Sequence, residues 1–454
     1  MIKKLIKNLL YYNTKKKLDS ISKSFCVAKW KQVTLYLQDG RNHSCHHPNT
    51  HLISINEIIS NPSALHNTQF KKEQRKMMLE GVRPNECNYC WKAEDVGIKY
   101  SERIIKSNSN WGRNTFNEIL SKKWNEDIDP SYLEVSFSSI CNLKCSYCGP
   151  DQSSSWQKEI LLNGGYPTST NFNSSNWITL ESLKNVDNQE DNEYQKIFWK
   201  WLPTIYDKLQ NFRITGGEPL LSKHIFRFLD FVIDNPNPKL NLSINTNLCV
   251  PEKNLKMFID KIKFIDKNNL VKTIQIHTSA EAYSNKAEYI RFGLNYNKWF
   301  ENCKKILLLS NKIKLEIMIS YNCLSVTSFS SFLLDINKLK KEYNTFFKER
   351  VRIGSNYIRN SHQSIFILDK KYAEYIKQSI QFMEKEKFSS REINEMKSIL
   401  KIFENEVSDQ KQNRLDFYNF IVEHDRRRKT NFKKTFPEMV EFFEQCKGTI
   451  LIDN

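Results

Sequence analysis

From residue 133 onward, six short runs rich in β-branched residues recur between longer amphipathic stretches, and this alternation restricts the fold more than any other feature of the chain. The runs are Leu133–Ser138, Phe212–Thr215, Leu240–Asn245, Thr273–Thr278, Lys314–Ser320 and Val351–Ser355. Stretches of helical period, such as IFRFLDFVID and YNKWFENCKKILLL, separate them. Strands that alternate with helices return to the same sheet through right-handed crossovers, which builds a parallel sheet covered by helices. Six strands predict an α/β fold of the partial (β/α)6 TIM-like kind and not a complete eight-stranded barrel. Sheets of this type carry ligands and catalytic groups at the C-terminal ends of their strands.

The flanking chain reads differently. TLYLQDGRNHS gives two extended runs about an Asp39-Gly40 turn, which is a hairpin signal. A helical stretch, TQFKKEQRKMMLEG, then ends at Gly81 ahead of Pro84. Beyond about residue 365 the chain is charged and helical in period. The expected division is a small α+β domain over 1–128, the barrel over 129–360 and a helical extension over 361–454. Tyr166–Asn192 is polar and rich in Asn, Ser and Thr, and it interrupts the first crossover. It is expected to be an inserted loop that serves as a lid or substrate contact.

Composition narrows the function classes. With 454 residues, 39% hydrophobic and 12% aromatic, the chain can bury a sizeable core and is not of the disordered class. Nowhere do ~18 apolar residues run together, so no transmembrane helix is expected. The start, MIKKLIKNLLYYNTKKK, has its apolar stretch broken by lysines, unlike a signal peptide. A cytoplasmic location is expected. The net charge of +18, from 69 Lys+Arg against 51 Asp+Glu, suits phosphate-bearing partners. A scatter of solvated lysines accounts for it as readily, since the densest basic run, Arg426–Lys429, is short. Eleven cysteines point to metal or redox chemistry before disulfides.

The most specific motif, SSICNLKCSYCGP, follows the first strand and spaces Cys141, Cys145 and Cys148 as C-x3-C-x2-C. A tight loop with this spacing can turn three thiolates toward one iron–sulfur cluster and leave one iron without a protein ligand. Successive inward N–H groups would offset the negative charge. Spacing alone also permits zinc, with a fourth ligand such as His277.

CNLKCSYC resembles the CxxxCxxC signature of the radical S-adenosylmethionine (SAM) superfamily, including an aromatic residue, Tyr147, before the last cysteine. The resemblance implies a [4Fe–4S] cluster whose open iron binds SAM. One electron, from a reductant such as flavodoxin or ferredoxin, then cleaves SAM to a radical that abstracts a substrate hydrogen. Gly216-Gly217-Glu218-Pro219, after the second strand, is similar to the family's GGEP element, which receives the SAM amino group. Ser243, Asn245 and Asn247 follow as implied ribose contacts, and Ser279 and Glu281 match the family's Ser-x-Asp/Glu element. Arg291 resembles the arginine that pairs with the SAM carboxylate in peptide-modifying members. The resemblance covers about residues 130–325.

Cys26, Cys45, Cys87 and Cys90 form a second constellation. The hairpin would bring Cys26 and Cys45 together, and Cys87-x2-Cys90 supplies a two-ligand turn. Four thiolates complete a closed [4Fe–4S] cluster. A structural zinc ion on the same cysteines is the alternative, or one with His43, His46, His47 or His51 in place of Cys26. The pattern Cys26…Trp30…LYLQDG…Cys45 followed by CxxC resembles the twitch (half-SPASM) auxiliary-cluster domain, although that domain usually follows the barrel and here precedes it. Four protein ligands would leave no iron open, so such a cluster is expected to carry electrons. The resemblance implies a peptide substrate first; RNA, suggested by the charge, or a nucleotide comes second. The rival of another class is a zinc-stabilised nucleic-acid-binding protein without catalysis. Cys249, Cys303, Cys323 and Cys446 lie in or beside apolar segments and are expected to be buried small hydrophobes.

Overall fold

The computed structural model describes residues 2–170, 172–173, 191–359 and 362–448. Most of the 166–192 insertion therefore lies outside the described residues. The strands are β1 (Gln32–Tyr36), β2 (Arg41–His43), β3 (His51–Leu52), β4 (Tyr132–Ser136), β5 (Lys144–Cys145), β6 (Asn211–Thr215), β7 (Asn237–Asn245), β8 (Val271–Ser279), β9 (Arg291–Phe292), β10 (Lys314–Tyr321) and β11 (Val351–Tyr357). The six expected barrel strands are β4, β6, β7, β8, β10 and β11, and the architecture is mixed α/β with mostly parallel pairing. This is the partial-barrel class that the alternation predicts. The chain gathers into two compact units, one of Met1–Ser138, Asp187–Ser243 and Asn268–Thr273, the other of Ser139–Val186, Ile244–Lys267 and Ile274–Asn454.

In the first unit the strand order is β7-β6-β4-β1-β2-β3. The β1–β2 hairpin forms as expected, with Tyr36 opposite Arg41. Its turn needs Gly40, which has φ +67° and would drive any Cβ into the Tyr194 ring. The sequence does not anticipate that β1 also pairs in parallel with β4, Val33 opposite Leu133 and Leu35 opposite Val135. All four of those side chains are fully buried, so the period-two pattern of the hairpin matches that of the barrel edge. A separate core collects Leu18, Phe25, Trp30, Met78, Trp91 and Trp111. The helix Gln69–Leu79 starts where Thr68 accepts from the Lys71 amide and stops just before Gly81.

In the second unit β8, β10 and β11 are parallel, with Ile276 opposite Leu315 and Ile317 opposite Ile353. Along β10, Leu315, Ile317, Ile319 and Tyr321 are buried while Glu316, Met318 and Ser320 point to the other face, as a strand's alternation requires. A two-stranded antiparallel ribbon pairs β5 with β9, Lys144 opposite Phe292 and Cys145 opposite Arg291. The C-terminal part is helical over Ala373–Lys385, Ser390–Asn405, Lys411–Arg428 and Val440–Lys447. No helix among the described residues is long and apolar enough to cross a membrane.

Candidate functional site

The three-cysteine loop belongs to the second unit, and its backbone is held at every turn. Ser154 Oγ accepts from the Cys141 amide at 3.1 Å, and Ser155 Oγ donates to the Cys141 carbonyl at 2.6 Å. Trp156 Nε1 donates to the Cys145 carbonyl at 2.9 Å, while the Cys148 amide donates to the same oxygen at 3.0 Å. Gln363 clamps Ser146 in both directions, at 2.8 Å to its carbonyl and 2.6 Å from its hydroxyl. The Ser153–Trp156 segment is a helix N-terminus capped by Ser153, a signal readable from SSSW but not linked to the loop by sequence reasoning. Gln363 stands 217 positions from Ser146 and carries no sequence signal at all.

Donors point at the sulfurs. The Leu143 amide lies 3.4 Å from Cys141 Sγ, and Arg291 Nη1 lies 3.6 Å from Cys145 Sγ. Burial pushes the Cys145 thiol up, with Arg291 working against it. Burial raises Cys148 further, helped by Cys145 and Cys141 beside it. Thiols raised in this way keep their protons at neutral pH until a metal displaces them. Three sulfurs on one short loop with N–H donors facing two of them fit an anionic iron–sulfur centre with one iron left open.

Arg291 stands on β9 directly across from Cys145. Its guanidinium meets Glu281 through Nη2–Oε2 at 2.6 Å and through Nε at 3.0 and 3.1 Å. Tyr147 donates its hydroxyl to the same carboxylate at 3.1 Å. Glu281 is fully buried and Arg291 nearly so. All three guanidinium nitrogens are thus engaged inside the protein.

One further expected residue is fastened to this loop, and another stands against β10. Asn247 Nδ2 donates to Asn142 Oδ1 at 2.9 Å, and Asn142 Nδ2 donates to the Cys249 carbonyl at 2.8 Å. Asn245 Nδ2 lies 3.9 Å from Met318 Sδ, and Met318 is the register partner of Ser279. Tyr147 and Glu281 are thus joined to Cys145 through Arg291, while Asn245 and Ser279 stand at the C-terminal ends of β7 and β8 beside Met318.

Gly216–Pro219 and Ser243 belong to the first unit. Gly216 has φ +121°, and a Cβ there would stand 2.7 Å from the Ser138 carbonyl and 2.8 Å from Ser136 Oγ. Only glycine lets the backbone pass, and the Gly217 amide then donates to the Ser138 carbonyl at 3.1 Å. Glu218 is buried and caps the following turn, accepting from the Leu220 amide at 3.0 Å, with Pro219 as the first residue of that turn. Ser243 lies near the end of β7, half-buried.

Residues 135–322 match the Radical SAM superfamily. They form a radical SAM domain. Curated relatives similar to the chain include the GTP 3′,8-cyclases of Sulfurimonas denitrificans, Nautilia profundicola and Aliarcobacter butzleri. The first is 27% identical over 117 residues, covering 26% of this chain and 27% of the relative. The second is 28% identical over 130 residues, covering 28% and 30%. The third is 24% identical over 196 residues, covering 41% and 50%. The chain thus spans from about a quarter to half of the length of these relatives.

Outside the radical SAM domain, Cys26, Cys45, Cys87 and Cys90 line one cavity of the first unit, together with His47 and Arg103. Burial, then the neighbouring Cys45, pushes the Cys26 thiol up to about 11. Burial and the other three cysteines raise Cys90 more strongly. The four thiols therefore act on one another as a group. Of the four histidines weighed as zinc ligands, His47 alone lines this cavity, stacked on Tyr89 at 3.8 Å. His43 is engaged with the Cys45 carbonyl, His46 Nε2 stands 3.9 Å from Glu134 and His51 Nε2 lies 2.9 Å from Thr68 Oγ1. Among the described residues no three His, Cys, Asp or Glu side chains are arranged to hold a single metal ion. Cys303, Cys323 and Cys446 are buried as expected. Cys249 is not; it is half-buried, with its thiol 3.4 Å from the Asn295 carbonyl, while Leu248 and Val250 on either side take the buried positions.

Proposed function

We propose that this protein reductively cleaves SAM at a [4Fe–4S] cluster held by Cys141, Cys145 and Cys148, and so abstracts a hydrogen atom from a substrate. The observation that carries the reading is the Cys145–Arg291–Glu281–Tyr147 network, which places a buried cation on a ligand sulfur of a loop whose third-ligand spacing leaves one iron open. When bound, the cluster supplies the electron that breaks a carbon–sulfur bond of SAM. The chain's own residues then do the positioning. By family resemblance Gly216, Gly217, Glu218 and Pro219 receive the amino group, Ser243, Asn245 and Asn247 line the sugar, and Ser279 with Glu281 forms the Ser-x-Asp/Glu element. Arg291, held by Glu281 and beside Cys145, would meet the SAM carboxylate through the further N–H bonds of its Nη1 and Nη2. A reductant such as flavodoxin or ferredoxin supplies the electron, and the reaction belongs in the cytoplasm.

The four cysteines of the first unit are read as the ligands of a second [4Fe–4S] cluster that carries electrons, with structural zinc as the other reading of that site. For the substrate, the auxiliary-cluster resemblance favours a peptide. The relatives named GTP 3′,8-cyclase favour a nucleotide as the second reading. Anaerobic reconstitution with iron and sulfide counting tests the metal content. About eight irons per chain support both clusters, and about four support the three-cysteine site alone. Zinc at both sites, with no SAM cleavage, would replace this function with a nucleic-acid-binding one. Product formation with GTP and not with peptides selects the nucleotide reading.

A further inference from the structure

The basic run Arg426–Lys429 is solvated only in part: Arg426 and Lys429 are exposed, whereas Arg428 is buried. It ends the helix Lys411–Arg428, and Arg428 is fully buried at its side chain. Its guanidinium takes Glu159 in a fork, Nε to Oε2 and Nη2 to Oε1, both at 3.2 Å. Nη1 donates to the Lys144 carbonyl at 2.8 Å. Arg428 Cζ lies over the Trp156 ring, 4.7 Å from its centroid, and 5.6 Å from the centroid of the Phe292 ring. Glu159 is further engaged by Lys144 and by the Tyr166 hydroxyl, the latter at 2.7 Å.

These contacts converge on one element. Lys144 and Phe292 are the register pair of the β5–β9 ribbon, and the other pair of that ribbon is Cys145 and Arg291. Trp156, on which Arg428 rests, donates to the Cys145 carbonyl. One guanidinium therefore grips both rails of the ribbon, one residue from the ligand sulfur and one from the arginine that donates to it. A buried ion pair is a poor device for stability alone, since apolar side chains of similar size do as well. Its geometry is a good device for position, because a fork and a stacking plane fix direction as well as distance.

We propose that Arg428 is a positioning residue for the cluster loop, so that the C-terminal helix sets the geometry in which Cys145 holds iron and Arg291 meets its sulfur. The inference rests on the cluster assignment above. The test uses the full chain, reconstituted anaerobically, in the wild type and in two variants. Arg428→Lys keeps the charge but loses the fork and the stacking plane; Trp156→Phe keeps the ring and loses the bond to Cys145. Two readouts are followed: iron release to a chelator, and the change that SAM induces in the electron paramagnetic resonance spectrum of the reduced protein. That spectral change belongs to a cluster with an open iron, so it isolates the three-cysteine site.

Arg428→Lys is expected to release iron from the SAM-responsive cluster about tenfold faster, with the SAM-induced spectral change lost in parallel. Trp156→Phe should move both readouts in the same direction and decides the matter if Arg428→Lys does not fold. A lower melting temperature with iron release and SAM response at wild-type level overturns the proposal, since that is what a merely structural arginine would give. A wild-type protein with no SAM-responsive cluster overturns the underlying assignment as well, which separates the two failures.

Discussion

At the scale of single residues, the site depends on buried partners that cannot be removed one at a time. Glu281 has no exposure and meets the Arg291 guanidinium at 2.6 Å, so Glu281→Ala leaves a buried cation without its counter-charge. The expected cost is roughly 3–5 kcal/mol, read as a lower urea midpoint of the apoprotein. An unchanged midpoint would contradict the pairing. Gly216→Ala forces a Cβ onto the Ser138 carbonyl at a positive φ, and should cost roughly 1–3 kcal/mol by the same measurement. Glu159 gives a pH signature. Burial would raise its carboxyl, but Arg428, Lys144 and Tyr166 outweigh burial and hold it down to about 2. A carboxylate lowered on folding adds stability above its unfolded value of about 4.3, and that stability is lost as pH falls from there toward about 2. Acid unfolding of the apoprotein should therefore shift to higher pH in Glu159→Gln, whereas a curve superimposable on the wild type would show that the carboxylate is not held down. The cysteine loop stands out in the sequence because its three thiols lie within eight residues of one another, Cys141 to Cys148. The partners of Arg291 do not. A guanidinium ten residues past Glu281 reads as free for an external carboxylate until the fold brings Glu281 and Cys145 to it.

At the scale of elements, the alternation of strands and helices foretold every parallel strand from β4 to β11, because each buries a period-two apolar face that survives in the sequence. The Asp39-Gly40 turn likewise announced its hairpin. What stayed hidden is partner choice. Val33 and Leu35 are equally suited to an isolated hairpin and to the barrel edge, and only the register with Leu133 and Val135 shows which. The C-terminal helix is the second case. Arg427 and Arg428 read as surface charge from composition, yet Arg427 donates to the Gly164 carbonyl at 2.9 Å and Arg428 is buried against Glu159. Phe417, Phe420, Ile421 and His424 mark the buried face at helical spacing, and Arg428 continues it, but nothing in the run of charge itself shows that its last arginine lies on that face. A basic run in a helical extension is therefore better read with its nearest acidic and aromatic residues than by charge alone.

At the scale of the whole molecule, the two cysteine centres are separate in ligands. Cys141, Cys145 and Cys148 belong to one compact unit, and Cys26, Cys45, Cys87 and Cys90 to the other. Replacing Cys87 and Cys90 with serine should lower the iron count from about eight to about four per chain while SAM cleavage persists. Loss of both clusters together would show that the centres are not independent. The account stands or falls on the three-cysteine loop. Its most direct test is the formation of 5′-deoxyadenosine from SAM and dithionite by the reconstituted wild type and by Cys145→Ala under anaerobic conditions. The account predicts product with the wild type and none with Cys145→Ala. Wild-type protein carrying a full complement of iron that forms no 5′-deoxyadenosine, or product that persists in Cys145→Ala, would contradict it.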